Sequence, residues 1–181
     1  MSPHATSSTH PSPFARQLIR SYTIGYLHVR RFTEDFTDEE ARLTPSGQLP
    51  LVWYIGHLLC AHDHFVDLYV GAPSTLDGSF VQSYAGSGEG TDFSLAPPLS
   101  KLLADYESMY LRVSEFLATL EPESLDRGPD GTAGHPSFGS LGSALAVVSF
   151  HDGYHAGQLA RLRLDLGKSD LSADVDLIPI V

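Results

Sequence analysis

A single cysteine, Cys60, stands in a chain of 181 residues. One thiol cannot form an intramolecular disulfide, and it excludes a zinc or iron–sulfur site built from cysteines within one chain. Basic residues are scarce as well. Eleven Lys and Arg face 22 Asp and Glu, a formal net charge of −11, and from Leu43 to Ser100 there is no Lys or Arg at all. Binding a nucleic acid by its phosphates needs clustered cations, and so does anchoring to an anionic membrane. Neither partner is expected. No run reaches the roughly eighteen apolar residues that span a bilayer; the nearest, Leu49 to Ala61, is short and holds His57. The N-terminus, Met1 to Pro13, is rich in Ser, Thr, Pro and His and has no apolar core, so it does not read as a secretory signal. Residues 1–12 are expected to be a disordered leader, and the expected location is the cytoplasm.

Convincing strands are also lacking, and helical periodicity is found instead. Phe14, Leu18, Tyr22, Gly25, Val29, Phe32 and Phe36 recur at spacings of three and four, one stripe of a helix. Ser12-Pro13 supplies a cap and a first-turn proline. A second segment, from about Pro50 to Val70, is apolar almost all round and is expected to be the most buried, with Gly71-Ala72-Pro73 stopping it. A third carries Leu99, Leu102, Tyr106, Met109, Val113, Phe116 and Leu120. A fourth runs from about Phe138 to Leu166, with Gly167 after it. Four long amphipathic helices make an all-α four-helix bundle over residues 13–168. Between the second and third lie 27 residues, Gly71 to Pro97, rich in Gly, Ser and Pro. Antiparallel neighbours need only a short loop, so this connection is expected to travel the length of the bundle and leave those two helices parallel. The tail, residues 169–181, ends in an apolar run and is expected to pack on the bundle or on a second subunit. Arg16, Arg20, Arg30 and Arg31 are expected to pair with the acidic cluster from Glu34 to Glu40.

Histidine is plentiful, with nine residues. The stripe of the fourth helix reads Leu141, Leu145, Val148, His151, His155, Leu159, Leu162, Leu166. Two histidines four apart lie on one helical face, one turn apart, a spacing that lets two imidazoles share an ion. No Glu follows His151 directly, so a protease-type glutamate is absent. The plain alternative is a structural pair satisfied by hydrogen bonds, because a buried polar group needs some partner. His57 is the natural third ligand, a histidine inside the most apolar helix beside Gly56. His64, seven residues on, is about 10.5 Å further along the helix, too far for the same ion but placed to line a pocket entrance. Cys60 lies near the same face. His62 points elsewhere, and with His4, His10, His28 and His135 it reads as structural or solvated.

The strings Trp53-Tyr54-Ile55-Gly56-His57-Leu58-Leu59 and His151-Asp152-Gly153-Tyr154-His155-Ala156-Gly157-Gln158-Leu159 together resemble the DinB/YfiT-like superfamily, over roughly residues 13–167. The resemblance implies a bundle with up-down-down-up connectivity and a divalent metal held by His57, His151 and His155. It implies a homodimer, and at superfamily level a low-molecular-weight thiol cosubstrate. All-imidazole sites suit several metals; availability and the family favour Zn or Ni. Three neutral ligands leave open positions on an ion, the mark of a reactive rather than a structural site. The expected activity is therefore metal-dependent activation of water or a small thiol, in a hydrolase or S-transferase acting on a small molecule. Asp152 and Gln158 are candidates to accept the outer N–H of a ligand imidazole. Tyr154 and Arg161 are candidates for the pocket. The alternatives are a non-catalytic metal- or small-ligand-binding stress-response protein and a purely structural triad.

Overall fold

Ser12 starts the first helix as its sequence predicts: its Oγ accepts from the Ala15 N–H at 3.1 Å, and Pro13 follows in the first turn. The computed structural model describes residues 11–129 and 136–171. The helices are α1 (Pro13–Thr33), α2 (Leu51–Phe65), α3 (Gly78–Tyr84), α4 (Leu99–Leu117) and α5 (Leu141–Asp165), and no strand occurs among the described residues. The leader residues 1–10, with His4 and His10, lie outside them, as do His135 and residues 172–181 of the tail.

The four long helices form the bundle, and the contacts between them give its connectivity. Along α1 and α5, Gly25 meets Asp152 and the Phe32 carbonyl meets Arg163, so both sequences rise together and the helices are parallel. Thr23 bonds Tyr110, while Arg30 faces Glu107, so α1 and α4 are antiparallel. His62 packs on Tyr106 and Phe65 on Phe116, so α2 and α4 are parallel. Gln48 meets Asp165, and His57 meets His151, so α2 and α5 are antiparallel. The order is up-down-down-up, with the long connection spanning the two parallel helices.

Helix α2 is the centre of the core. Leu51, Val52, Ile55, Leu58 and Leu59 have at most 1% of their surface exposed. Its end loosens into a single π turn, Val66–Val70, and Gly71 stops it in the left-handed conformation at φ +72°. The connection from 71 to 97 is not featureless. Asp63 on α2 accepts from the Thr75 N–H and from the Ser74 and Thr75 hydroxyls. Asp77 then caps the short helix α3 by accepting from Phe80 N–H at 2.8 Å. Seven residues are too few to show a helical period in sequence. The expectation for the fourth segment also shifts. A 3-10 turn occupies Pro136–Phe138, and α5 begins only after Ser140, whose Oγ accepts from Ser143 N–H.

The ends of the bundle are tied by ions in a pattern different from the one expected. Arg31 pairs with Glu34, but Asp35 takes Arg163 and Lys168, and Glu40 takes Lys168. Arg163 is 1% exposed, and a buried guanidinium needs its acceptors close by. No described helix is long and apolar enough to cross a membrane.

Candidate metal centre

His57 comes from α2 and His151 and His155 from consecutive turns of α5. Their Nε2 atoms converge: His57 to His151 is 3.1 Å and His155 to His151 is 3.0 Å. All three offer a nitrogen within 4.8 Å of the others. The rings stand nearly edge to face, at interplanar angles from 62° to 81°, so the nitrogens rather than the ring faces point inward.

The outer nitrogens explain why. His57 Nδ1–H donates to the Tyr84 carbonyl at 2.7 Å, at the end of α3. His155 Nδ1–H donates to Gln158 Oε1 at 2.6 Å, and the Gln158 amide reaches Tyr154 Oη. A neutral ring protonated at Nδ1 leaves Nε2 as a bare lone pair. Trp53 stacks on His57 at 4.6 Å and 14°, and the Trp53 and Tyr54 rings flank His155. Burial, and then the neighbouring imidazoles, push the pKa of His151 down to about 3. Burial pushes His155 down to about 4, with the Gln158 hydrogen bond opposing it. His151 and His155 are therefore neutral at physiological pH. Two protonated Nδ1 atoms turn bare lone pairs toward a third imidazole, and a single proton on His151 Nε2 is the most that such a cluster shares. One divalent cation would satisfy all three lone pairs. Nitrogens 2.0–2.1 Å from a tetrahedral zinc stand about 3.3 Å apart, close to the spacing found. The donor set fits such an ion.

Gln158 thus lies where an outer partner of a ligand belongs. Asp152 does not, and that expectation is corrected. Adjacent residues on a helix do not face each other, so the residue after His151 turns away from the triad. Asp152 instead accepts from His62 Nε2–H at 2.8 Å, while His62 Nδ1 meets Tyr22 Oη at 2.6 Å. Both side chains of the His62–Asp152 pair are completely buried. His62, read in sequence as an ordinary histidine, therefore joins α1, α2 and α5 across the bundle. Burial and the Asp152 charge raise the phenols of Tyr22 and Tyr106 well above their usual range. The available signal was Gly25. A Cβ there would lie 2.6 Å from Asp152 Cβ, so only glycine lets α1 approach the pair.

Beside the triad lies a cavity of about 380 Å3, reached by His57, His151, Cys60 and His64. Cys60 and His64 therefore both face the site. The Cys60 thiol is pushed up to about 12, first by burial and then by Asp63, so it stays protonated and is a poor nucleophile. His64 packs against Phe138 at 5.2 Å. Tyr154 and Arg161 do not line this cavity. Tyr154 is largely exposed, stacked on Phe150 and touching the edge of His155. Arg161 pairs with Asp165 one turn on.

Among solved structures, the chain resembles YfiT from Bacillus subtilis, described as a probable metal-dependent hydrolase with an unusual four-helix bundle topology. The identity is 18%, the TM-score 0.63, and the match covers 93% of this chain and 95% of that one. No curated protein matches it significantly. The model of the DinB superfamily matches residues 28–159, well over half of the chain, and the chain belongs to the DinB superfamily.

Proposed function

We propose that this protein is a divalent-metal-dependent hydrolase of small molecules, with His57, His151 and His155 as the metal ligands. The observation that carries the reading is the convergence of three Nε2 atoms, at 3.0 and 3.1 Å, beside an open cavity that two of the three histidines, His57 and His151, line. The description of the YfiT structure as a probable metal-dependent hydrolase supports it. A divalent ion such as zinc or nickel, which His57, His151 and His155 would hold, would supply Lewis acidity toward a water or a substrate carbonyl. The chain's own residues do the rest. The Tyr84 carbonyl and Gln158 hold His57 and His155 with their lone pairs inward. Trp53 limits the swing of the His57 ring. The apolar cavity gives a substrate an unhydrated wall beside the triad. Among the described residues no carboxylate lines the cavity, and His64 is its titratable side chain beyond the triad and Cys60.

Metal analysis of protein purified without an affinity tag, followed by a chromogenic ester and amide panel, tests the reading. About one equivalent of metal is expected, with hydrolysis that disappears in His155→Ala. Uptake below about 0.2 equivalents after adding Zn, Ni or Mn refutes the metal reading. Equal rates in wild type and His155→Ala would make the protein a binder. Turnover that appears only with an added small thiol would make it a transferase.

A further inference from the structure

The walls of the 380 Å3 cavity come from three helices and one turn. On α2, Ala61 stands one turn beyond His57; on α5, Val147 stands one turn before His151. The same helical spacing that places the ligands therefore places two apolar side chains directly beyond them. Val81 and Ala85, at the body and end of α3, make the third wall, and Phe138 closes one end. Among the described residues, no Lys, Arg, Asp or Glu lines the space. A charged group entering it would lose its water and find no counter-ion, which is costly. The larger groove of about 640 Å3 nearby is bordered by Asp77, Glu89 and Asp92 and does not reach the histidines. Binding cavities span about 300–1,000 Å3, so this one suits a small occupant.

We infer that the cavity beside the histidine triad takes the uncharged apolar body of the substrate, a short alkyl chain or a single aromatic ring. The placing of the substrate's polar end at the triad rests on the metal-dependent reading; the selectivity of the cavity does not. Ala61 and Val147 then determine specificity, through the room they leave.

The test uses two probe series on the full chain. Straight-chain alkyl hydroxamates from two to six carbons, titrated by calorimetry into zinc-loaded protein, need both the ion and the cavity. Straight-chain alkanols, followed by NMR shifts in metal-free protein, need the cavity alone. Affinity is expected to rise about fourfold per methylene in both series, from about 0.8 kcal/mol for each buried CH2. A hydroxamate of equal length ending in a carboxylate is expected to bind at least about tenfold more weakly. Ala61→Trp and Val147→Trp fill the space from opposite walls, and each is expected to flatten both series while zinc stoichiometry stays that of the wild type. Zinc uptake with a flat wild-type series, or with equal affinity for the carboxylate-ended probe, overturns the inference and leaves the metal reading standing. No zinc uptake, with alkanol affinity still rising with length and lost in Val147→Trp, upholds the cavity and removes the metal reading.

Discussion

Adding one methyl group at Gly56 tests how the metal centre is held. A Cβ there would lie 2.2 Å from Tyr84 Cδ1 and 2.6 Å from Cε1 and Cγ. Carbon atoms pack at about 3.5–4.0 Å, so the ring must retreat by about 1.3 Å or more. It has little room, being 4% exposed and stacked on Phe80 at 4.3 Å. Tyr84 also ends α3, and its carbonyl accepts the His57 Nδ1–H at 2.7 Å. A retreat of that size stretches this bond to about 4 Å, past the useful limit. Losing an outer partner of a ligand costs about 10- to 100-fold in metal affinity, or about 1.4–2.7 kcal/mol. Overpacking costs about 1–3 kcal/mol of stability, but alanine regains about 1 kcal/mol of helix propensity. Gly56→Ala is therefore expected to fold and to bind zinc weakly. Competition with a chromogenic chelator reads the affinity, and urea unfolding reads the stability. Removing the ring with Tyr84→Ala in the same chain should recover affinity, since the carbonyl belongs to the backbone. A folded Gly56→Ala protein with wild-type zinc affinity would refute the argument that α3 orients His57.

Three further outcomes follow from the same geometry. In metal-free protein His151 and His155 have pKa values near 3 and 4, below the roughly 6.5 of an imidazole in the unfolded chain. The unfolded chain then binds more protons, so their contribution is complete above about pH 6.5, falls as pH drops below that value, and is lost once pH has passed through about 4 and 3. The slope is under about 1.4 kcal/mol per pH unit for each ring, less what solvent screening removes. Urea midpoints at pH 7, 6 and 5 check this, and a His151→Gln/His155→Gln variant with the same pH dependence would contradict it. Asp152→Ala leaves His62 Nε2 without an acceptor in a fully buried pair and should cost about 3–5 kcal/mol; a loss under about 1 kcal/mol in denaturation would show the pair to be unimportant. Gly157→Ala on α5 places its methyl where no atom lies within 4 Å, and should stabilise by about 0.4–1 kcal/mol, read as a higher melting temperature with zinc affinity unchanged.

The bundle was legible because each long helix carries its apolar residues at helical spacing, and the 27-residue connection forced two helices to run parallel. The triad was legible for a narrower reason: three histidines occupy positions where leucine would complete a stripe. What escaped was everything that depends on partners distant in sequence. Asp152 looked like part of the triad because it adjoins His151 in the chain, yet helical geometry sends it to His62, 90 residues away. His62 looked ordinary because its partners, Tyr22 and Asp152, come from two other helices. Helix α3 gave no periodic signal, since it is held by the Asp77 cap and by the seat of Tyr84 on Gly56. Tyr154 and Arg161 sit on the helix that carries the ligands but on its exposed side, and nearness along the chain does not give direction.

The distance in sequence between the ligands has a consequence for biosynthesis. His57 and His151 are 94 residues apart, and His151 lies on α5, which is made after the other described helices. Until α5 has been made, His57 lacks the two imidazoles it meets in the folded protein. Joining two points that far apart in an open chain costs about 4 kcal/mol of loop entropy beyond a constant. The packing of α5 against α1 and α2 meets that cost first. The three imidazoles therefore come together only once α5 has packed, and a nascent or truncated chain that ends before α5 lacks two of them.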